Sequence, residues 1–264
     1  HNYIPAPHSI YEGITKLMPG SLLTLSESPR EPVLQSDWSG AGVARTGVAQ
    51  VFGGSAEQAV DQLEVLLKDA VRQQMMADVP LGAFLSGGID SSTVVALMQA
   101  QSERPVKTFT IGFNEEGYNE AEHAKAVARH LGTEHTEMYV TPEQTMAVIP
   151  RLPALYDEPF SDSSQIPTFL VSQLAREHVT VSLSGDAGDE LFCGYNRYQM
   201  TARLWGKIAA VPVPLRTLVA KGLTGVAPQT WNRMADGIRK VLPGALPFVN
   251  LGDKLHKGGG ALAS

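Results

Sequence analysis

The stretch that most constrains this chain is Leu81-Gly82-Ala83-Phe84-Leu85 followed at once by Ser86-Gly87-Gly88-Ile89-Asp90-Ser91-Ser92. The first five residues read as a short buried strand, and Val94, Val95, Leu97 and Met98 mark a helix over 91–101. A strand, a glycine turn and a helix start together make an anion cradle, because backbone N–H groups and the helix dipole point out of the turn. Gly87 and Gly88 let the backbone come close to a ligand without a Cβ clash, and Ser86, Ser91 and Ser92 add hydroxyl donors. Asp90 is out of place beside an anion unless a cation lies between, and Mg²⁺ is the simplest such cation. The same residues would also serve as a plain turn and helix cap. They are not a Walker loop, since no Gly-Lys-Ser/Thr ending follows.

Around this unit the pattern alternates. Strands are predicted over 81–85, 106–113, 133–140 and 179–184, and helices over 91–101, 119–131 (stopping at Gly132) and 165–178. Upstream, Ser55 and Gln58 form a capping box ahead of an apolar stripe of Val60, Leu63, Leu66, Leu67, Val71 and Met75. Alternation of this kind predicts an α/β fold, a parallel sheet flanked by helices, with ligands at the carboxyl ends of the strands. Residues 200–264 read as helical, broken by prolines. Residues 1–54 hold short β-like runs between prolines, and 40–54 reads as a Gly/Ala/Val linker.

The second signal is Ser184-Gly185-Asp186-Ala187-Gly188-Asp189-Glu190-Leu191-Phe192, again a small turn after an apolar strand. Asp186, Asp189 and Glu190 stand three and four apart, so on one helix they would share a face, and like charges held together call for a cation. Asp90 and Asp189 could hold Mg²⁺ between them through oxygens and water. An ordinary solvated acidic helix start explains the same cluster.

Both motifs resemble one family. Ser86-Gly87-Gly88-Ile89-Asp90-Ser91 is similar to the pyrophosphate loop of ATP pyrophosphatases, and the wider run from Asp78 to Gly88 resembles asparagine synthetases. Their Ser-Gly-Glu-Gly-Ser-Asp-Glu motif, followed by Leu/Val-Phe-Gly-Gly-Tyr, is matched from Ser184 to Tyr195, with Asp186 one methylene shorter than the usual Glu and Cys193 where Gly or Ala is usual.

The resemblance implies an adenine nucleotide alpha-hydrolase-like, Rossmann-like fold with a helical C-terminal part. It implies ATP and Mg as cofactors, and conversion of aspartate, ATP and ammonia from glutamine to asparagine, AMP and pyrophosphate through β-aspartyl-AMP. By resemblance, Asp186 and Glu190 are catalytic, and Leu85, Ser86, Gly87, Gly88, Asp90, Ser91, Ser92, Ile111, Ser184 and Gly185 bind the nucleotide. Asp90 and Asp189 hold the metal. Ile111 reads equally as a core strand residue. His135, in Gly132-Thr133-Glu134-His135, reads as structural before catalytic. Tyr156-Asp157-Glu158-Pro159-Phe160 and Asp162-Ser163-Ser164 resemble the loop before the helix that lines the acceptor site; Ser163 and Ser164 read as caps first and substrate donors second. Arg197 reads as a surface residue first and a carboxylate neutraliser second.

The family's N-terminal glutaminase domain uses a first-residue cysteine, whereas His1 stands here, and residues 1–54 resemble the end of that domain plus a linker. Residues 55–264 then form the ATP-binding synthetase domain. The family's downstream lysine, after an Arg-Val-Pro-Phe-Leu-like stretch, finds no match before Ser264. A piece shortened at both ends is therefore expected, unable to hydrolyse glutamine alone and poor at turnover. A β-lactam synthetase-like enzyme or an amidotransferase with another acceptor is the nearest alternative, and a non-catalytic ATP-binding module is the next.

Composition narrows the rest. A net charge of −6 argues against a general nucleic-acid binder but not against one bound anion. A single cysteine, Cys193, cannot make an internal disulfide, so a reducing cytoplasmic setting is expected. No apolar run reaches membrane-spanning length. The partners expected are the small-molecule substrates, the glutaminase domain of the same full-length chain and a second copy in a homodimer.

Overall fold

The computed structural model describes residues 3–27, 31–113, 119–241 and 250–263. The chain divides into two compact units, His1–Asp186 and Ala187–Ser264.

In the first unit an antiparallel pair, β1 (Ser21–Thr24) and β2 (Val33–Ser36), comes first. It is followed by helix α1 (Gly40–Ala49), in the stretch expected to be a linker. The cause is local: the Ser39 hydroxyl accepts the Gly42 N–H at 3.2 Å and caps the helix. Because α1 buries no residue, it lacks the apolar stripe that periodicity detects. Helix α2 (Ala56–Gln74) carries the predicted capping box, with Ser55 N donating to Gln58 Oε1 at 2.9 Å and Gln58 N to Ser55 Oγ at 3.2 Å.

The central elements are β3 (Leu81–Phe84), α3 (Ile89–Ala100), β4 (Lys107–Phe113), α4 (Ala121–Leu131) and β5 (Glu134–Val140). Then come α5 (Pro142–Val148), a 3₁₀ turn (Ile149–Arg151), α6 (Leu152–Tyr156), α7 (Gln165–Arg176) and β6 (Val181–Leu183). Helix α3 starts two residues earlier than expected, so Asp90 and Ser91 lie inside its first turn.

The sheet order is β5-β4-β3-β6 and every pairing is parallel. Val71, Val95, Met98, Ala124 and Ala128, from α2, α3 and α4, pack with Ala83 and Leu85 in one core. Leu174 and Ala175 of α7 pack with Phe109 and Val179 in another, and α5 joins through Val148 against Val140 and Leu170. The alternation thus becomes an open parallel sheet covered by helices. After β3 the chain moves outward through β4 and β5, then returns to place β6 on the other side of β3. The order reverses between β3 and β6, and in such sheets that switch point is where ligands bind, beyond the carboxyl ends of the strands.

The second unit is helical: α8 (Gly188–Phe192), α9 (Asn196–Ile208), α10 (Val213–Thr224), α11 (Pro228–Val241) and α12 (Leu251–Ala263). Trp231 Nε1 donates to Leu223 O at 3.0 Å, and Gly252 N donates to Asn232 Oδ1 at 2.8 Å, tying its last three helices together.

Candidate active site

The two glycine turns emerge at the switch point, one after β3 and one after β6. The first is braced from within. Ser86 N donates to Ser91 Oγ at 3.2 Å, the Ser86 and Ser91 hydroxyls lie 2.9 Å apart, Gly88 N donates to Ser86 Oγ at 3.2 Å, and Ser91 Oγ reaches Gly88 O at 3.3 Å. These two hydroxyls therefore shape the turn. Ser92 Oγ is buried and lacks a hydrogen-bond partner among the described residues, an orphan that a buried hydroxyl does not keep without cost. The first-turn amides of α3 receive no side-chain cap from Gly88, which leaves them for an anion.

Gly87 has φ +81, and a Cβ there would lie 2.6 Å from Ala124 N and 2.7 Å from His123 C at the start of α4. Gly185, in the second turn, would put a Cβ 2.5 Å from Ser91 N and 2.9 Å from the Asp90 carbonyl carbon. The two turns therefore meet backbone to backbone at the start of α3, and only glycine permits that approach. Asp90 sits in the first turn of α3, half-buried, with no hydrogen-bond or ion-pair partner for its carboxylate among the described residues.

A cavity of about 170 Å³ is lined by Leu85, Ser86 and Ile111, and also by Glu120, Pro167 and Thr168. It brings the predicted Ile111 beside the first turn. Leu85 is core at 1% exposure, and its N–H donates to Phe109 O at 3.0 Å, so neither its side chain nor its amide is open to a ligand. Pro167 and Thr168 come from the start of α7 and carry no sequence signal of a site. The resemblance of the preceding loop points to this helix, but nothing in the residue types singles out these two positions. A larger cavity of about 820 Å³, lined by Phe84, Arg151, Arg176 and Glu177 among others, holds none of the predicted residues.

The acidic cluster departs from expectation. Ala187 has φ 71 and α8 begins only at Gly188, so Asp186 is outside the helix and does not share a face with Asp189 and Glu190. A left-handed residue between them breaks the helical phase on which that expectation depended. Asp186 Oδ2 accepts the Ser184 hydroxyl at 2.9 Å, Tyr195 OH donates to Glu190 Oε1 at 2.6 Å, and the Asp189 carboxylate lies over Gly194, in the space a Cβ would need. Cys193 is left-handed too, at φ 56. The side chain of Arg197 is outside the described residues. Among the described residues no group of three or more His, Cys, Asp or Glu forms a protein-only metal site.

His135 lies far from the turns, near the amino end of β5. Its Nδ1 and Thr108 Oγ1 are 2.9 Å apart, and Thr108 Oγ1 is 3.0 Å from Thr133 Oγ1. Burial lowers its pKa below the ordinary 6.5, which keeps it neutral and structural. Ser164 holds the cap position of α7 without a side-chain cap bond; its own N–H donates to Asp162 Oδ1 at 2.8 Å, so Asp162 takes the role expected of the serines.

A parallel sheet whose switch point gathers two glycine turns, a helix start and a small cavity defines a class, the doubly wound α/β ligand-binding domains. Comparison with known proteins narrows it. The asparagine synthase family model matches residues 62–262, and the chain belongs to that family. Asparagine synthetase (glutamine-hydrolyzing) 1 of Bacillus subtilis is 34% identical over 197 residues, covering 75% of this chain and 30% of its own length. Human asparagine synthetase (glutamine-hydrolyzing) is 33% identical over 159 residues, covering 56% of this chain and 28% of its own. The chain thus spans about a third or less of these relatives. An NH3-dependent NAD synthetase from Campylobacter jejuni is 13% identical with a TM-score of 0.39 over 77% of this chain and 96% of its own. No helix among the described residues is long and apolar enough to cross a membrane.

Proposed function

We propose that this chain forms the ATP-binding part of an asparagine synthetase, which activates aspartate by adenylation for attack by ammonia. The observation that carries this reading is the meeting of Gly185 with the Asp90–Ser91 backbone at the start of α3, next to the orphaned hydroxyl of Ser92. That cradle fits a nucleotide's phosphates: uncapped helix-start amides, and glycines where a side chain would add bulk. The lone Asp90 carboxylate fits a magnesium ion riding on those phosphates. The sequence motif assigns Asp189 to the same ion, so Asp90 and Asp189 are the residues that would hold it. Magnesium would neutralise phosphate charge in the reaction.

In the reaction, an aspartate carboxylate oxygen bonds to the α-phosphorus as the bond from that phosphorus to the β-phosphate's bridging oxygen breaks. Pyrophosphate leaves with that electron pair. Ammonia nitrogen then bonds to the acyl carbon, AMP leaves on its phosphate oxygen, and the surplus proton passes to solvent. The chain's own task is positioning and charge neutralisation: Ser86–Ser92 hold the phosphates, Ile111 meets the base, the start of α7 lines the acceptor side, and Ser184 and Gly185 close the cradle. Asp186 and Glu190 are assigned to the acyl centre by the motif. The glutaminase domain, a homodimer and a cytoplasmic setting belong to the same proposal.

The test is pyrophosphate release by the full-length protein with Mg²⁺, ATP and ammonium, across a panel of carboxylic acids. Release that requires aspartate supports the reading. Release with another acid alone keeps the adenylation chemistry and moves the enzyme to a different acceptor. Tight Mg·ATP binding with no release for any acid contradicts it.

A further inference from the structure

The first residues of the chain reach a distant loop. The Lys16 ammonium pairs with the Glu158 carboxylate and donates to Ile4 O at 2.8 Å, while Ile10 N donates to the other Glu158 oxygen at 3.2 Å. Both oxygens of Glu158 are thus occupied by a segment over 140 positions away, and its side chain keeps only 17% exposure. Lys16 holds this carboxyl below the usual range against the opposing effect of burial.

Glu158 begins a loop that runs to the start of α7. At its start Asp157 is left-handed at φ 54, and the rings of Tyr156 and Phe160 lie 5.2 Å apart on either side. At its end one amide nitrogen, Gln165 Nε2, donates to Phe160 O at 2.8 Å and to Asp162 O at 2.7 Å. Gln165 is 8% exposed and is the first residue of α7. Two residues on, Pro167 and Thr168 line the cavity shared with Ser86 and Ile111. Residues 161–164 are exposed, and Asp162 among them is held from the α7 side, by Gln165 Nε2 and by the Ser164 N–H at 2.8 Å. The loop is therefore tied to α7 at one end and to the N-terminal segment, through Glu158, at the other.

We infer that Lys16 is a positioning residue: through Glu158 it sets the 157–164 loop and the start of α7, and so the side of the substrate cavity that the phosphate turn does not build. That the substrate affected is the acceptor rests on the adenylation reading above; that the loop is held by the N-terminal segment does not. The pair is only partly exposed, 36% at Lys16 and 17% at Glu158, and it is the tie through which the N-terminal segment reaches the cavity wall.

The experiment uses the full-length protein with Lys16→Met, Glu158→Gln, and the exchanged pair Lys16→Glu with Glu158→Lys. Hydrogen exchange without any substrate should speed up about 10-fold at 157–165 in Lys16→Met and return part of the way in the exchanged pair, which restores the ion pair but not the bonds to Ile10 N and Ile4 O, with the phosphate turn unchanged. In turnover, KM for the acceptor should rise about 10-fold while KM for ATP and kcat stay within about twofold. Unchanged exchange at 157–165 overturns the inference whether or not the protein adenylates anything. Faster exchange with equal shifts in both KM values overturns the assignment to the acceptor.

Discussion

The turn at 86–92 and the turn at 184–194 follow similar strands with similar residue types, yet they are built differently. In the first, the left-handed position is held by Gly87, and the hydroxyls of Ser86 and Ser91 brace the backbone. In the second, Ala187 and Cys193, neither of them glycine, are left-handed at φ 71 and 56. The asparagine synthetase motif quoted above has glycine where Ala187 stands and glycine or alanine where Cys193 stands. The first turn is thus relaxed and pre-organised, and the second stores strain of about 1 kcal/mol for each such residue. Strain of this kind persists only where the surroundings hold it. In the second turn that holding comes from local contacts: Ser184 on Asp186, Tyr195 on Glu190, and Asp189 seated on Gly194.

The contrast can be broken most directly at Gly87. Gly87→Ala forces a Cβ at positive φ into the backbone of His123 and Ala124. It should cost about 2–3 kcal/mol by urea denaturation and abolish Mg·ATP binding by calorimetry. A loss under about 0.5 kcal/mol would mean the turn is not close-packed on α4. Gly185→Ala should follow at about 1–2 kcal/mol and weaken ATP binding, because the Ser91 backbone has to move. Ala187→Gly and Cys193→Gly should act in the opposite direction, each adding about 0.5–1 kcal/mol in the same denaturation assay. If either destabilises, the second turn is not strained and the comparison fails.

The smallest effect belongs to the far edge of the sheet. His135 is held neutral by burial, so its folded pKa lies below the unfolded 6.5 and the unfolded chain takes up its proton first as the pH drops. Its contribution is complete above about 6.5 and is lost as pH falls through the folded value. The urea midpoint should therefore decline below that pH, and His135→Gln should remove this part of the decline.

Much of this was readable from the residues alone. Strand-turn-helix at 81–101 shows because apolar spacing, glycines and a helix start coincide, and the Ser55/Gln58 box shows because capping is local chemistry. Helix α1 was hidden because nothing in it is buried; α7 was pointed to only by the resemblance of the loop before it, since Pro167 and Thr168 are ordinary helix-start residues. The acidic trio misled because helical spacing was counted across Ala187, where the backbone turns left-handed. Nothing in spacing reveals that Lys16 meets Glu158, since only the tertiary fold brings such distant positions together.

The central claim is that the switch-point cradle presents ATP for attack at its α-phosphorus. Phosphorus NMR of the products formed by the full-length protein, with Mg²⁺, ATP, ammonium and aspartate, tests it most directly. The account predicts AMP and pyrophosphate in equal amounts, with both lost in Asp90→Asn. ADP and inorganic phosphate, or the same AMP and pyrophosphate from Asp90→Asn at the parent rate, would contradict it.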